Sequence, residues 1–264
     1  MLKRLLKEAD NVAKNVMDNH FGKIDSDKQF DTHDAAIIGL LEDMIGKTNS
    51  LIVLIENNSF NGTDALSRMI LENYTFMKFI LEKDTENRGE SYYRSQKIND
   101  VKLFDSITQE TLVGREVREF LGITKEKINN QFSDLTDEKY RNKLESQYLS
   151  VMNLKDKRSK WYNFNGKTNT FRDLCKYLKM EKDYVLFYQI FSNEVHGQQG
   201  NKFLKFEYDS VEIYRKSGEL ELHTKMVSSF IMEIVRLVYK YYNLNEDLKK
   251  FNTSIQINYA FMKL

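Results

Sequence analysis

At 264 residues, with 41% hydrophobic and 30% charged side chains, the chain has the composition of a folded protein with a sizeable core. Forty basic and 39 acidic residues leave a formal charge of +1, which excludes a global field for attracting a polyanion, so any nucleic-acid contact has to be local. Proline is absent and cysteine occurs once, which lets helices run uninterrupted and excludes an internal disulfide framework.

Leu2, Leu5, Leu6, Ala9, Val12, Ala13, Val16 and Met17 recur at three and four, predicting one amphipathic helix over residues 1–20. Glu8, Asp10 and Asp18 on its polar side favour packing or dimerisation over an anionic membrane, and acidic residues stand where a signal peptide would have its apolar core. Asp31 or Thr32 caps a helix from His33 to about Glu56, with Ile37, Leu40, Leu41, Met44, Leu51 and Leu54 inward. After the loop Asn57 to Thr63, Thr63 or Asn61 caps a second helix reaching about Lys83. The short connection makes the two antiparallel neighbours.

Helices follow at about 90–109, 111–121, 125–132 and 137–151, the third started by Thr124 and the last by Thr136. A polar stretch, 153–169, holds the single tryptophan. Thr170 then caps a short helix to about Met180, and Asp183 opens a helix that ends at His196-Gly197. Alternation in Phe203–Tyr208 and Val211–Tyr214, with Ser217-Gly218 before Glu219–His223, predicts two or three short strands. Val227–Tyr242 and Glu246–Phe261 read as closing helices. The expected fold is mainly α: one domain over 1–264, a bundle of about eight to ten helices with a small β-hairpin insertion near 203–223 and C-terminal helices over 225–264.

No segment approaches the ~18 apolar residues of a membrane span, and a lone cysteine fits a reducing compartment, so a cytoplasmic location without membrane contact is expected. Cys175, sharing a face with Leu174 and Leu178, reads as a buried small hydrophobe rather than a nucleophile. Four cations, Lys155, Lys157, Arg158 and Lys160, stand beside Trp161, a local patch that suits either RNA or a solvated loop entering a helix. No His-x3-His or Cys-x2-Cys pair and no Gly-x4-Gly-Lys run occurs, so neither metal nor cofactor is expected.

Chemistry concentrates where two apolar helices turn polar. Tyr188, Ser192 and His196 recur at four, in line on one helical face, with Asn193 beside them. Arg68 and Glu72, also four apart, interrupt the apolar run Ala65–Leu81. Burying those charges costs several kcal/mol each unless they are paired, with each other or with the Ser192/His196 end of the later helix. Glu72 could then orient the imidazole of His196 for proton transfer. The same five residues could equally form a polar network that fixes helix packing, or recognise a ligand or partner.

Arg68-x3-Glu72, the Trp161 segment, the 171–178 helix and Tyr188-x3-Ser192-x3-His196-Gly197 together resemble a bacterial all-helical domain family, some of whose members lie near mobile elements or phage-defence genes. The resemblance covers roughly residues 65–206. That family is distantly similar to HEPN domains, helical bundles that often dimerise and cut RNA without a metal. The resemblance implies a defence- or toxin-type effector, RNA as substrate, a homodimer, and a defence-system partner protein. By the HEPN pattern His196 would move protons and an arginine would stabilise phosphorane charge. This chain departs from the pattern: Gln189, Ile190 and Phe191 occupy the positions of the arginine, so Arg68 would act from the neighbouring helix.

Overall fold

The computed structural model describes residues 2–22, 28–59, 62–153, 159–195, 204–213 and 220–260, and it is mainly α-helical. In chain order the helices are α1 (Leu2–Ala9), α2 (Val12–Val16), α3 (Thr32–Glu56), α4 (Thr63–Glu82), α5 (Thr85–Thr108), α6 (Leu112–Leu121), α7 (Lys125–Gln131), α8 (Ser133–Thr136) and α9 (Glu138–Met152). There follow α10 (Phe171–Tyr177), α11 (Glu181–Asp183), α12 (Ile190–Val195), the strands β1 (Leu204–Glu207) and β2 (Ser210–Ile213), α13 (Leu220–Tyr241) and α14 (Asn245–Ala260). β1 and β2 form an antiparallel hairpin with Phe206 opposite Val211.

The core is built on α3, α4 and α13, with α1 laid on α13. Ile37, Leu41, Met44 and Leu51 of α3 meet Ile70, Leu71, Met77 and Ile80 of α4 and Ile231, Ile234, Val235 and Val238 of α13, all essentially sealed from solvent. Because α4 is enclosed on several sides, its polar residues must find partners inside the fold. The hydroxyl of Thr75 does so locally, donating to the carbonyl of Leu71 at 2.8 Å. Those of Ser67 and Tyr74 reach α13.

The capping residues account for most helix starts. Asp31 and Asp34 form a capping box at α3, and Thr170 with Asp173 forms one at α10; Thr111 and Thr124 cap α6 and α7. Other starts differ from expectation. Gly62, at φ 88°, occupies the N-cap of α4 in place of a threonine or asparagine side chain. Asp137, not Thr136, caps α9, and Thr136 ends the short α8. α5 begins at Thr85, well before residue 90.

The expected N-terminal helix breaks at Asp10-Asn11 and ends in a π-helical turn, Met17–Phe21. The expected helix from Asp183 is likewise composite: α11, a π-helical turn over Tyr184–Gln189, then α12. A third strand at 219–223 does not form, because residues 220–223 are the first turn of α13. Trp161 is 8% exposed, its ring packed on Phe76, Phe79, Tyr92 and Tyr162, so it offers no stacking face for RNA. Cys175 is buried beside Leu174, and burial pushes its thiol up to about 12.

One close approach sets the crossing of α3 and α5. A β-carbon on Gly89 would lie 2.6 Å from Cβ and 2.8 Å from Cα of His33. The Cα is helix backbone and the Cβ is fixed to it, so neither can step aside. Gly89→Ala is therefore expected to cost about 1–3 kcal/mol, whereas Gly46→Ala, where nothing stands within 4 Å, should leave stability unchanged or raise it. Thermal melts of the two variants side by side decide it; equal melting temperatures would show the crossing to be compliant.

Candidate functional site

Three helical segments converge on the N-terminal half of α4: the π-helical turn, α12 and the start of α13. Asp64, Arg68 and Glu72 follow one another at four-residue intervals, so they line one face of α4, with Ser67 beside them.

Arg68 is the hub. Its Nε donates to Glu72 Oε1 at 3.3 Å and its Nη2 to the Tyr188 hydroxyl at 2.8 Å, while its guanidinium carbon lies 4.4 Å from the Tyr188 ring centroid. Nη1 is buried and has no hydrogen-bond partner among the described residues. The Arg68 side chain is 16% exposed and that of Glu72 31%, so the pair sits at the rim of the core rather than inside it. Burial raises the pKa of the Glu72 carboxyl, opposed by the charges of Arg68 and, more weakly, Lys47. Burial likewise raises that of the Tyr188 phenol, helped by the charge of Glu72 and opposed by Arg68.

Tyr188 is clamped as well as bonded. Tyr184 stacks on it at 5.1 Å and 17°, and Phe171 of α10 lies against it at 4.7 Å. The π-helical turn makes this stacking available by widening the helix between residues 184 and 188. Ser192 donates its hydroxyl to the carbonyl of Tyr188, a local back-bond that leaves it a poor proton donor for anything else.

Arg68, Glu72 and Tyr188 are thus brought together as the sequence suggested. Ser192 lies nearby but is committed to its own backbone. Asn193 is in α12, with its side chain outside the described residues; His196, Lys155, Lys157 and Arg158 also lie outside them. Lys160 is described and exposed, next to the buried Trp161.

A second polar chain, which sequence reasoning missed, lies one turn earlier on α4. His223 accepts or donates at Nδ1 to Ser67 Oγ, 2.7 Å away, and its Nε2 meets Asp64 Oδ1 at 3.1 Å. Phe191 of α12 stacks on the imidazole at 4.7 Å and 19°. His223 is 5% exposed and Ser67 fully covered, so this Asp–His–Ser series fastens α13 to α4 rather than presenting a nucleophile. The signal was available: Leu220, His223, Val227, Phe230, Ile231 and Ile234 continue the three-and-four spacing of α13 back to its start.

Among the described residues no group of three or more His, Cys, Asp or Glu side chains is arranged to hold a metal ion, and no helix is long and apolar enough to cross a membrane. Fold and site together define a mainly helical protein with an arginine–glutamate–tyrosine cluster at the rim of its central helix. By sequence, residues 34–209 match a family of unknown function, DUF5677, and the chain belongs to that family. The matched region includes Arg68, Glu72, Tyr188 and the hairpin's first strand, but not His223. No curated protein and no solved structure matches the chain.

Proposed function

We propose that this protein is a cytoplasmic bacterial effector of the defence or toxin type that cleaves RNA without a metal, as a homodimer and alongside a partner protein of a defence system. Arg68 stabilises charge on the phosphorus and His196 transfers protons; Glu72 and Tyr188 hold Arg68. In such a reaction the ribose 2'-hydroxyl loses its proton and its oxygen attacks the adjacent phosphorus. The bond to the 5'-oxygen breaks, and that oxygen takes up a proton. The products are a 2',3'-cyclic phosphate and a 5'-hydroxyl, with no water or oxidant consumed.

The observation that carries this reading is the state of the Arg68 guanidinium. Two of its nitrogens are held by Glu72 and Tyr188, which fixes its plane, while Nη1 has no partner among the described residues. A preorganised, partly desolvated donor of this kind favours an anion in which charge builds up during reaction. The test is incubation of the purified chain with RNA in excess chelator, followed by analysis of the product ends. Cyclic phosphate ends that vanish in His196→Ala support the proposal; intact RNA, or equal cleavage by His196→Ala, overturns it.

A second reading has its own observation. Arg68, Tyr188 and Ser192 all bond within the chain, as they would in a network that only fixes packing. On that reading the protein is a non-catalytic interaction or ligand-sensing module: the unsubstituted chain cleaves no RNA, and rim substitutions change stability alone.

A further inference from the structure

The cluster around Arg68 is one end of a longer series. Arg68 lies over Tyr188, Tyr188 stacks on Tyr184, and the guanidinium carbon of Arg172 lies 5.9 Å from the Tyr184 ring centroid. The two ends differ. At the first, the arginine is close, hydrogen-bonded and largely buried. At the second, Arg172 is exposed, makes no hydrogen bond or ion pair with a described residue, and stands off its ring. Between Tyr184 and the surface runs a groove of about 360 Å³, lined by Arg172, Asp173, Lys176, Glu181, Tyr184 and Val185.

Resting on the RNA-cleaving reading, we propose that this groove takes one nucleobase of a single-stranded RNA, stacked on the outer face of Tyr184 beneath Arg172, with its backbone leading along the series to Arg68. A base is a flat π-system, and an aromatic ring on one side with a mobile guanidinium on the other is the arrangement that holds such a ring without reading its identity. Lys176 and Arg172 supply cations for the flanking phosphate. Asp173, held in the α10 cap by Thr170 and the backbone N–H groups of Asn169 and Thr170, and Glu181 balance the two cations, so stacking on Tyr184 carries most of the affinity. Base-paired RNA does not fit, since its bases are already stacked and its edges face its own groove.

Binding is measured by fluorescence anisotropy of a labelled oligouridylate, with a duplex RNA as comparison, on the full chain carrying His196→Ala so that substrate survives. Tyr184→Ala and Lys176→Glu are each expected to weaken single-strand binding roughly tenfold, whereas Tyr184→Phe retains it and the duplex binds at least tenfold more weakly than the single strand. Equal affinity for duplex, no binding of single strands, or unchanged affinity in both Tyr184→Ala and Lys176→Glu overturns the groove. The two proposals fail separately. Tyr184-dependent binding with no cleavage by the unsubstituted chain removes the nuclease reading and keeps the groove; cleavage indifferent to Tyr184→Ala does the reverse.

Discussion

Replacing Arg88, in the first turn of α5, by alanine is expected to cost about 3 kcal/mol of stability. The Arg88 side chain is 5% exposed and reaches from the first turn of α5 back to the end of α4. Its Nη1 donates to the carbonyl of Phe79 and to Glu82 Oε2, the latter at 3.0 Å, and its Nη2 donates to the Tyr177 hydroxyl at 2.9 Å. Phe79 is one of the last four residues of α4, whose carbonyls have no partner within the helix. Arg88 therefore does what a C-cap usually does, and adds a cation at the negative end of the helix dipole. Its guanidinium carbon also lies 3.8 Å from the centroid of the Phe79 ring.

Alanine would strand that carbonyl, while the Glu82 carboxylate, 42% exposed, keeps the Tyr177 hydroxyl, which donates to its Oε2 at 3.0 Å. Lysine should recover only part, because its single nitrogen cannot reproduce the planar spread of Nη1 and Nη2 over these acceptors. Urea midpoints and melts of Arg88→Ala and Arg88→Lys provide the measurement. A fall in melting temperature of the order of 10 °C for alanine is expected. A shift within error would mean that water takes over all three acceptors.

Arg68→Ala separates the two readings of the site when it is paired with Glu72→Gln. Alone, Arg68→Ala should cost about 1–2 kcal/mol near pH 7, less than a sealed ion pair because both partners are partly exposed. The cost has a pH signature. The folded-state pKa of Glu72 is raised by burial, and Arg68 is the largest influence pulling it back. A raised carboxylate contributes its stability below its unfolded pKa and loses it as pH rises through the folded pKa. Without Arg68 the rise grows, so the deficit of Arg68→Ala should be greatest near neutral pH and shrink as pH falls through the carboxylate range.

Arg68→Ala/Glu72→Gln removes the stranded charge and should restore most of the lost stability. If the site only fixes packing, the double variant regains any function along with its fold. If Arg68 stabilises charge in RNA cleavage, the double variant folds and remains inactive by a factor on the order of 10² or more. A folded double variant with full cleavage activity would falsify the catalytic role of Arg68.

The long helices of the core were legible from their periodic apolar faces, and their ends only where a capping residue marks them. α3 has Asp31 before it and Asn57 after it; α10 has Thr170. What escaped lay where period counting fails. A π-helical turn adds a residue without changing composition, so neither Met17–Phe21 nor Tyr184–Gln189 leaves a mark in the apolar spacing. Glu219-Leu-Glu-Leu-His223 alternates like a strand and also fits the first turn of a helix, and only contact with α4 chooses between them. Trp161 misled for a related reason. Its sequence neighbours are polar, but the aromatic rings of Phe76, Phe79 and Tyr92 that bury it lie far away in the chain. At the site, the Arg68–Glu72 pair was readable from spacing on one helix, whereas its bond to Tyr188 and the Asp64–His223–Ser67 chain needed the tertiary fold.

The ring contact between Phe191 and His223 brings α12 and the first turn of α13 to one place. The hairpin lies in sequence between these two residues, and their contact is made by side chains outside the hairpin itself. Closing the chain between two such residues grows dearer only slowly with its length, about 0.6 kcal/mol for each doubling. The hairpin is thus a natural exchange point, where strands of another sequence, or a fluorescent reporter domain, could replace β1 and β2 while the Arg68 rim keeps its geometry.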